Sequence, residues 1–295
     1  MDRCNKYDCN VLPLHCDLHT HSRFSDGACT PTEIVTAAKE LGLIVALTDH
    51  NTAAGLPEFM AAARELGVTA VPGVEFSTEY EKTELHLLGL FILPEHYAAV
   101  ERMAATQHAL KERTNRKLVK RLNEAGYQID FEHVKARHPG GNPNRAHVAA
   151  ELLARGYVSS IQEAFDTLLG DHCGFYEQPP QLLLLDVIRE LRQLGVLPVL
   201  AHPLQELTEE QLRRLLPIAK AAGLLGMETM HSSYSPDTIR LVETIAAEFD
   251  LLPSGGSDFH GSVKPDIALG TGKGQLCISG DVYSNLLSAW KSLQG

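Results

Sequence analysis

The stretch HCDLHTHSRFSDG, His15–Gly27, carries three histidines and two aspartates directly after Val11–Leu14, a short run with strand character. On a strand, residues i and i+2 share a face, so the imidazoles of His19 and His21 can reach one ion together. Alone, the cluster has inert explanations. Asp26-Gly27 is a turn signal, and surface histidines need no role. The remainder of the chain decides between them.

Outward from this stretch the pattern is strand, then helix. TPTE offers Thr30 as N-cap, Pro31 at the first helical position and Glu33 to complete a capping box. That helix runs to about Leu41 and stops at Gly42. LIVALTDH reads as a buried strand, followed by a helix over about Pro57–Leu66 and by the strands VTAVPGVEFS and ELHLLGLFI. From about Pro94 to Pro180 the sequence is mostly helical and polar. The rhythm resumes with a helix at Leu184–Leu194, strand VLPVLAH, helix Glu209–Ala222, strand LLGMETM, helix Pro236–Phe249 and strand LLPSGGSDFH.

Apolar strands alternating with amphipathic helices imply parallel strands covered by helices. The chain is therefore expected to be α/β, with seven strand units closed into a barrel. The expected segments are 11–93 and 183–285 for the two parts of the barrel, and 94–182 for a helical insertion. In such barrels the functional residues gather at the C-terminal ends of the strands.

The acids and histidines obey that rule. His19 and His21 end strand one, with Asp26 in the loop beyond; Asp49 and His50 end strand two, and Glu75 strand three. His86 lies within strand four, and His202 ends strand five. Glu228 and His231 end strand six, Asp258 and His260 strand seven. In SDFH the carboxylate and imidazole again stand at i and i+2, and Gly255-Gly256 before them lets the backbone come close. Imidazole and carboxylate together suit Mn, Fe or Zn. So many ligands exceed the needs of one ion and imply two or three. His15, His96, His108, His133, His138 and His172 lack a strand-end position and read as surface or supporting residues.

Composition sets the outer bounds. The chain has 295 residues, 44% hydrophobic and 21% charged, which is ordinary for a globular enzyme. The net charge of -11 opposes broad binding to nucleic acid or anionic membrane. No apolar run approaches the ~20 residues of a membrane span, and the polar start MDRCNKYDCN gives no signal peptide. The six cysteines show no C-x-x-C spacing and read as reduced thiols of a cytoplasmic protein, with a zinc site from Cys4, Cys9 and Cys16 disfavoured.

The motifs DLHTHSRFSDG, ALTDHNT, PGVEFS, LHLLGL, VLAHP and GGSDFHG closely resemble the PHP (polymerase and histidinol phosphatase) family, over roughly Leu14–Phe91 and Leu197–Gly270. The resemblance implies a distorted (β/α)7 TIM-like barrel that binds up to three divalent metals, manganese favoured, and hydrolyses phosphoesters. It implies the ligands His19, His21, Asp26, His50, Glu75, His86, His202, Asp258 and His260, with Glu75 as bridging carboxylate. The segment from Asn142 to Gly170 is similar to the R-P-H-x-A region of nucleoside 3',5'-bisphosphate phosphatases and related 5'-to-3' exonucleases, whose helical insertion lies over the barrel mouth. That places Arg145 and His147 at a substrate phosphate, although Ala146 stands where the subfamily usually has proline. Lys111–Arg121, with six basic residues, reads mainly as a solvated helix face, yet Arg113 and Arg116 could share a face aimed at phosphate.

The expected function is metal-dependent hydrolysis of a small phosphorylated metabolite, a nucleoside 3',5'-bisphosphate or a short oligonucleotide, by a metal-activated water. His19, His21, Glu75, His202, Asp258 and His260 would carry catalysis, and Arg145, His147, Arg113, Arg116 and His231 would bind phosphate. No membrane partner and no stable nucleic-acid complex are expected. Two rivals remain: an amidohydrolase-like deaminase, and a non-catalytic metal-binding module of a larger assembly.

Overall fold

Thr30-Pro31-Thr32-Glu33 starts a helix by the reciprocal bonds its spacing predicts. The Thr30 hydroxyl accepts the Glu33 N–H at 3.0 Å, and the Glu33 carboxylate accepts the Thr30 N–H at 2.7 Å. Helix α1 (Pro31–Leu41) then ends on Gly42, at a φ of 66° that glycine adopts without strain. The computed structural model describes residues 15–137, 143–177 and 181–295, without the side chains of Thr106 and His108. The strand character of Val11–Leu14, and Cys4, Cys9 and His138, lie outside the described residues.

The chain divides into two units, one running up to Glu101 and resuming at Leu182, the other spanning Arg102–Gln181. The first unit is built on β1 (His15–Asp17), β2 (Leu43–Leu47), β3 (Ala70–Tyr80), β4 (Thr83–Leu90), β5 (Leu182–Leu183), β6 (Leu197–Leu200), β7 (Gly226–His231) and β8 (Leu252–Gly256). They form one sheet in the order β1-β2-β3-β4-β6-β7-β8, with β5 beside β3. The two edges meet. Leu18 N–H donates to Gly255 O (3.1 Å), Asp258 N–H to His19 O (2.9 Å) and His21 N–H to Phe259 O (2.8 Å). The sheet is thus a nearly closed barrel, accompanied by α1, α2 (Leu56–Leu66), α7 (Leu184–Gln193), α8 (Glu209–Ala222), α9 (Pro236–Glu248) and α10 (Gly280–Leu293).

Strand β2 is buried at all five positions, as expected of a continuous apolar run. Leu18, Ile44, Val71, Leu88, Val199 and Ile278 belong to one buried cluster. The parallel pairing expected where strands alternate with helices does not extend to β4, which pairs antiparallel with both β3 and β6. The cause is the connection. Only Glu81 and Lys82 separate β3 from β4, and both have positive φ, 49° and 67°. A parallel return needs a dozen or more residues, whereas two with positive φ make a hairpin turn.

The second unit holds the continuation of α3 (Tyr97–Glu124), then α4 (Phe131–Ala136), α5 (Arg145–Ala154), α6 (Ile161–Ala164) and a π turn at Phe165–Leu169. Leu118, Leu122, Phe131, Val148, Leu152 and Leu169 form a core of its own. Among the described residues no helix is long and apolar enough to cross a membrane.

Candidate metal centre

The ligand-bearing rim begins where β1 ends. Period-two alternation puts Asp17, His19 and His21 on one side, all completely buried. Asp17 serves as an anchor. Its carboxylate accepts Ser257 N–H (2.8 Å), Ser257 O–H (2.5 Å) and Gly270 N–H (2.8 Å), tying the first strand to the loop after β8. Asp49 does the same on the other flank, accepting Ser22 N–H and the hydroxyls of Ser22 and Ser25, each at 2.7 Å. Gly256 passes so close that a Cβ there would lie 2.3 Å from the Cβ of His19. Asp258 and His202 sit at positive φ, 59° and 25°, conformations costly for non-glycine residues and common where side chains must be aimed.

Glu75, 1% exposed, is the hub. Its Oε2 lies 3.1 Å from His19 Nε2, and 3.2 Å from both His21 Nε2 and His50 Nδ1. Its Oε1 lies 2.8 Å from His86 Nδ1 and 3.2 Å from His202 Nε2. His19 Nε2 and His21 Nε2 are 3.0 Å apart, and Asp258 Oδ1 is 3.2 Å from His21 Nε2. A third group lies beside these: His260 Nε2 is 3.3 Å from Asp26 Oδ1, and His50 Nε2 is 3.8 Å from Asp26 Oδ2.

These contacts exceed what hydrogen bonding can satisfy. Among the described residues, His21 Nδ1, His50 Nδ1, Glu75 Oε2, Asp26 Oδ1 and His231 Nε2 are buried without a hydrogen-bond partner. Each such group ordinarily costs about 1–3 kcal/mol. Ligands ~2.1 Å from a common cation stand about 3.0–3.4 Å from one another, which is the spacing around Glu75. The donor set therefore fits divalent metal. His19, His21 and Glu75 form one possible set, His50, Glu75 and His86 another, and His21, Asp26, His50 and His260 a third.

The electrostatics follow from the same crowding. Burial works to raise the Glu75 pKa, but the facing His19, His50 and His86 hold it well below the usual range. Burial opposes protonation of His21, and hydrogen bonds to Asp258 and Glu75 overcome it, bringing the imidazole to about 9. His86 rises against burial to about 10 through Glu75. His50, with burial dominant, falls to about 3.

All nine expected ligand positions come together here, and His231 lies at the same rim, its Nε2 3.8 Å from Asp258 Oδ2. Glu228, outside the expected ligand set, is completely buried. Its Oε1 lies 3.0 Å from His19 Nδ1, and its Oε2 accepts the His202 N–H at 2.8 Å. A carboxylate on the far nitrogen of a ligating histidine fixes ring and tautomer. Its strand-end position was the available signal. Lys264, 2.7 Å from Asp258 Oδ2, had none.

The remaining expected site residues belong to the second unit. In the helical unit Arg145 pairs with Asp171 (2.7 Å) and lies 4.0 Å over the Tyr176 ring. His147 Nδ1 accepts the Asn144 N–H at 3.0 Å, closing a cap. Arg116 is held by Glu112 (2.8 Å) and Glu132 (2.7 Å), and it lines a shallow surface of α3 with Arg113, Lys117 and Lys120. His15 approaches Cys277, His133 approaches Glu151 and His172 bonds Asp166 O.

Comparison with known proteins agrees with this geometry. The PHP domain model matches residues 17–193. A 5'-3' exoribonuclease of Haemophilus influenzae is 35% identical over 83% of this chain and 89% of its own length. A 3',5'-nucleoside bisphosphate phosphatase of Chromobacterium violaceum is 33% identical over 83% and 86%. A crystal structure assigned as a metal-dependent phosphoesterase, from Bifidobacterium adolescentis, superposes with a TM-score of 0.81 at 30% identity, covering 94% of this chain and 97% of that one. On the matched family model, these relatives and the ligand-rich barrel rim, the chain belongs to the PHP family of metal-dependent phosphoesterases.

Proposed function

We propose that the protein hydrolyses phosphoesters of small nucleotide substrates, releasing the 3'-phosphate of a nucleoside 3',5'-bisphosphate or the 5'-end nucleotides of a short oligonucleotide. The observation that carries this is the convergence of five imidazoles on the single carboxylate of Glu75. A hub of that kind suits two or three divalent ions, and manganese is the reading favoured. His19, His21, Glu75 and Asp258 would hold one ion; Glu75, His86 and His202 a second; Asp26, His50 and His260 a third. When bound, such ions polarise phosphoryl oxygens and lower the pKa of water. The protein orients these ligands through Glu228 and excludes water from them by burial, while Lys264 places a cation beside Asp258. The names of the two relatives support a nucleotide substrate. By resemblance, Arg145 and His147 would bind a second phosphate.

The test is phosphate release from adenosine 3',5'-bisphosphate and nucleotide release from a 5'-phosphorylated short RNA, with manganese-loaded protein and ammonia release as control. His19→Ala and Asp258→Ala are expected to abolish turnover. Full activity in both variants would overturn the reading, as would ammonia release without phosphate release. Arg145→Ala is expected to raise KM for the bisphosphate far more than for a monophosphate. A steep salt dependence of KM would favour the oligonucleotide, because each phosphate contact adds to the slope.

A further inference from the structure

We propose that His231 is a fixed hydrogen-bond donor to the substrate's phosphoryl oxygens rather than a metal ligand, with Ser233 and Gln205 setting its tautomer. The inference rests on the phosphoesterase reading above. His231 ends β7 and is 3% exposed. Its Nδ1 lies 3.2 Å from the Ser233 backbone nitrogen, 2.9 Å from Ser233 Oγ and 3.1 Å from Gln205 Nε2. A backbone N–H can only donate, so Nδ1 is the acceptor and the ring proton sits on Nε2. The Gln205 amide nitrogen also donates to Ser233 Oγ at 2.9 Å, which orients the amide with its donors toward the ring.

The other nitrogen tells the rest. His231 Nε2 is buried with no hydrogen-bond partner among the described residues. Asp258 Oδ2 lies 3.8 Å from it, too far for a hydrogen bond. The ring centre is 5.1 Å from that of His202 and 6.3 Å from that of His19. An N–H is therefore aimed at the ligand cluster with nothing to donate to. Coordination to a metal requires a lone pair at that nitrogen, which this tautomer lacks. An anionic oxygen requires a donor, which it has. Lys264 reaches the same Asp258 oxygen at 2.7 Å, so this flank of the centre presents donors while the Glu75 flank presents lone pairs. His231 Nε2 and Lys264 Nζ thus both approach Asp258 Oδ2, where their N–H groups can meet the oxygens of a phosphoryl group.

The nitrogen shifts of the His231 ring, read by long-range 1H–15N NMR on the metal-free protein and assigned with His231→Gln, decide the tautomer. The expected result is Nε2–H, with a further shift of Nε2 when inorganic phosphate is added to zinc-loaded protein. His231→Ala should keep the wild-type metal content while kcat falls about 10²-fold, as for loss of one donor to a developing oxyanion. His231→Gln, which keeps a donor near Nε2, should recover part of that loss. Gln205 is exposed, so Gln205→Glu provides a variant whose folding is not at risk. Its carboxylate favours Nδ1–H and should lower kcat at constant metal content. An Nδ1–H tautomer in the wild type, or loss of an ion in His231→Ala, would overturn the assignment. Wild-type protein that releases neither phosphate nor nucleotide from any ester would sink the phosphoesterase reading instead, while the nitrogen shifts still decide the tautomer.

Discussion

Replacing Glu228 by glutamine would keep the shape of the side chain and remove the charge opposite His19 Nδ1. Loss of such an orienting carboxylate costs about 10–100-fold in metal affinity, so a titration of Glu228→Gln with manganese should show a drop in that range. An unchanged affinity would remove Glu228 from the centre. Protons compete with metal for the same nitrogens. His21 and His86 titrate at about 9 and about 10, above the ordinary imidazole value of 6.5. Their pairings stabilise the metal-free fold fully below about pH 6.5 and cease to do so as pH climbs through 9 to 10. Metal uptake at pH 7 must therefore expel protons, and apparent affinity should rise with pH up to that window. Calorimetric heats in buffers of different ionisation enthalpy would measure the release, and none at all would contradict the paired state. The placement of His19, His21, Glu75, Asp258 and His260 was legible because strand alternation and strand ends are local facts. Gln205, Ser233 and Lys264 were not, since their significance comes from what the fold brings beside them.

At the level of elements, most strands and helices announce themselves by apolar runs and capping residues. Helix α8, for instance, has the bounds that its pattern predicts, Glu209–Ala222. The antiparallel turn of β4 was hidden, because Glu81-Lys82 is a two-residue turn built without the glycine or asparagine that marks one. Putting Asn-Gly there should stabilise the protein by about 0.5–1 kcal/mol through relief of two left-handed residues. The check is a rise in Tm with kcat unchanged, and a fall in Tm would mean the turn is unstrained. Gly256→Ala tests the opposite case, since the new Cβ would meet the Cβ of His19 at 2.3 Å. The strand must shift, at a cost of about 1–3 kcal/mol, and His19 shifts with it. Metal content should fall along with Tm, whereas a stability loss with full metal occupancy would separate the glycine from the centre.

For the whole molecule, each unit has its own core, and the ligand cluster belongs to the barrel unit alone. Bound metal should therefore protect the barrel selectively. At a free concentration ~1,000 times Kd, one ion adds about 4 kcal/mol. Hydrogen exchange with and without EDTA should show that gain in the peptides carrying β1 and β8, and little change in 102–181. Equal protection throughout would mean that the two units respond to metal as one. The strand rhythm stops near Pro94 and resumes near Leu184, while the second unit spans Arg102–Gln181. Closure was expected from the seven strand units, but the register at which β1 meets β8 was not legible, because backbone hydrogen bonds leave no mark on residue type.

That closure has a consequence during synthesis. Asp17 finds Ser257 across 240 positions, and the backbone of His19 is bonded by that of Asp258. Glu75 can face His19 and His21 once β3 is in place, whereas Asp258 can reach them only after β8 and the loop beyond it have been made. A chain cut before β8 would keep seven of the nine expected ligands and lack Asp258 and His260. The two edges of the barrel sheet must therefore pair before the ligand set is whole.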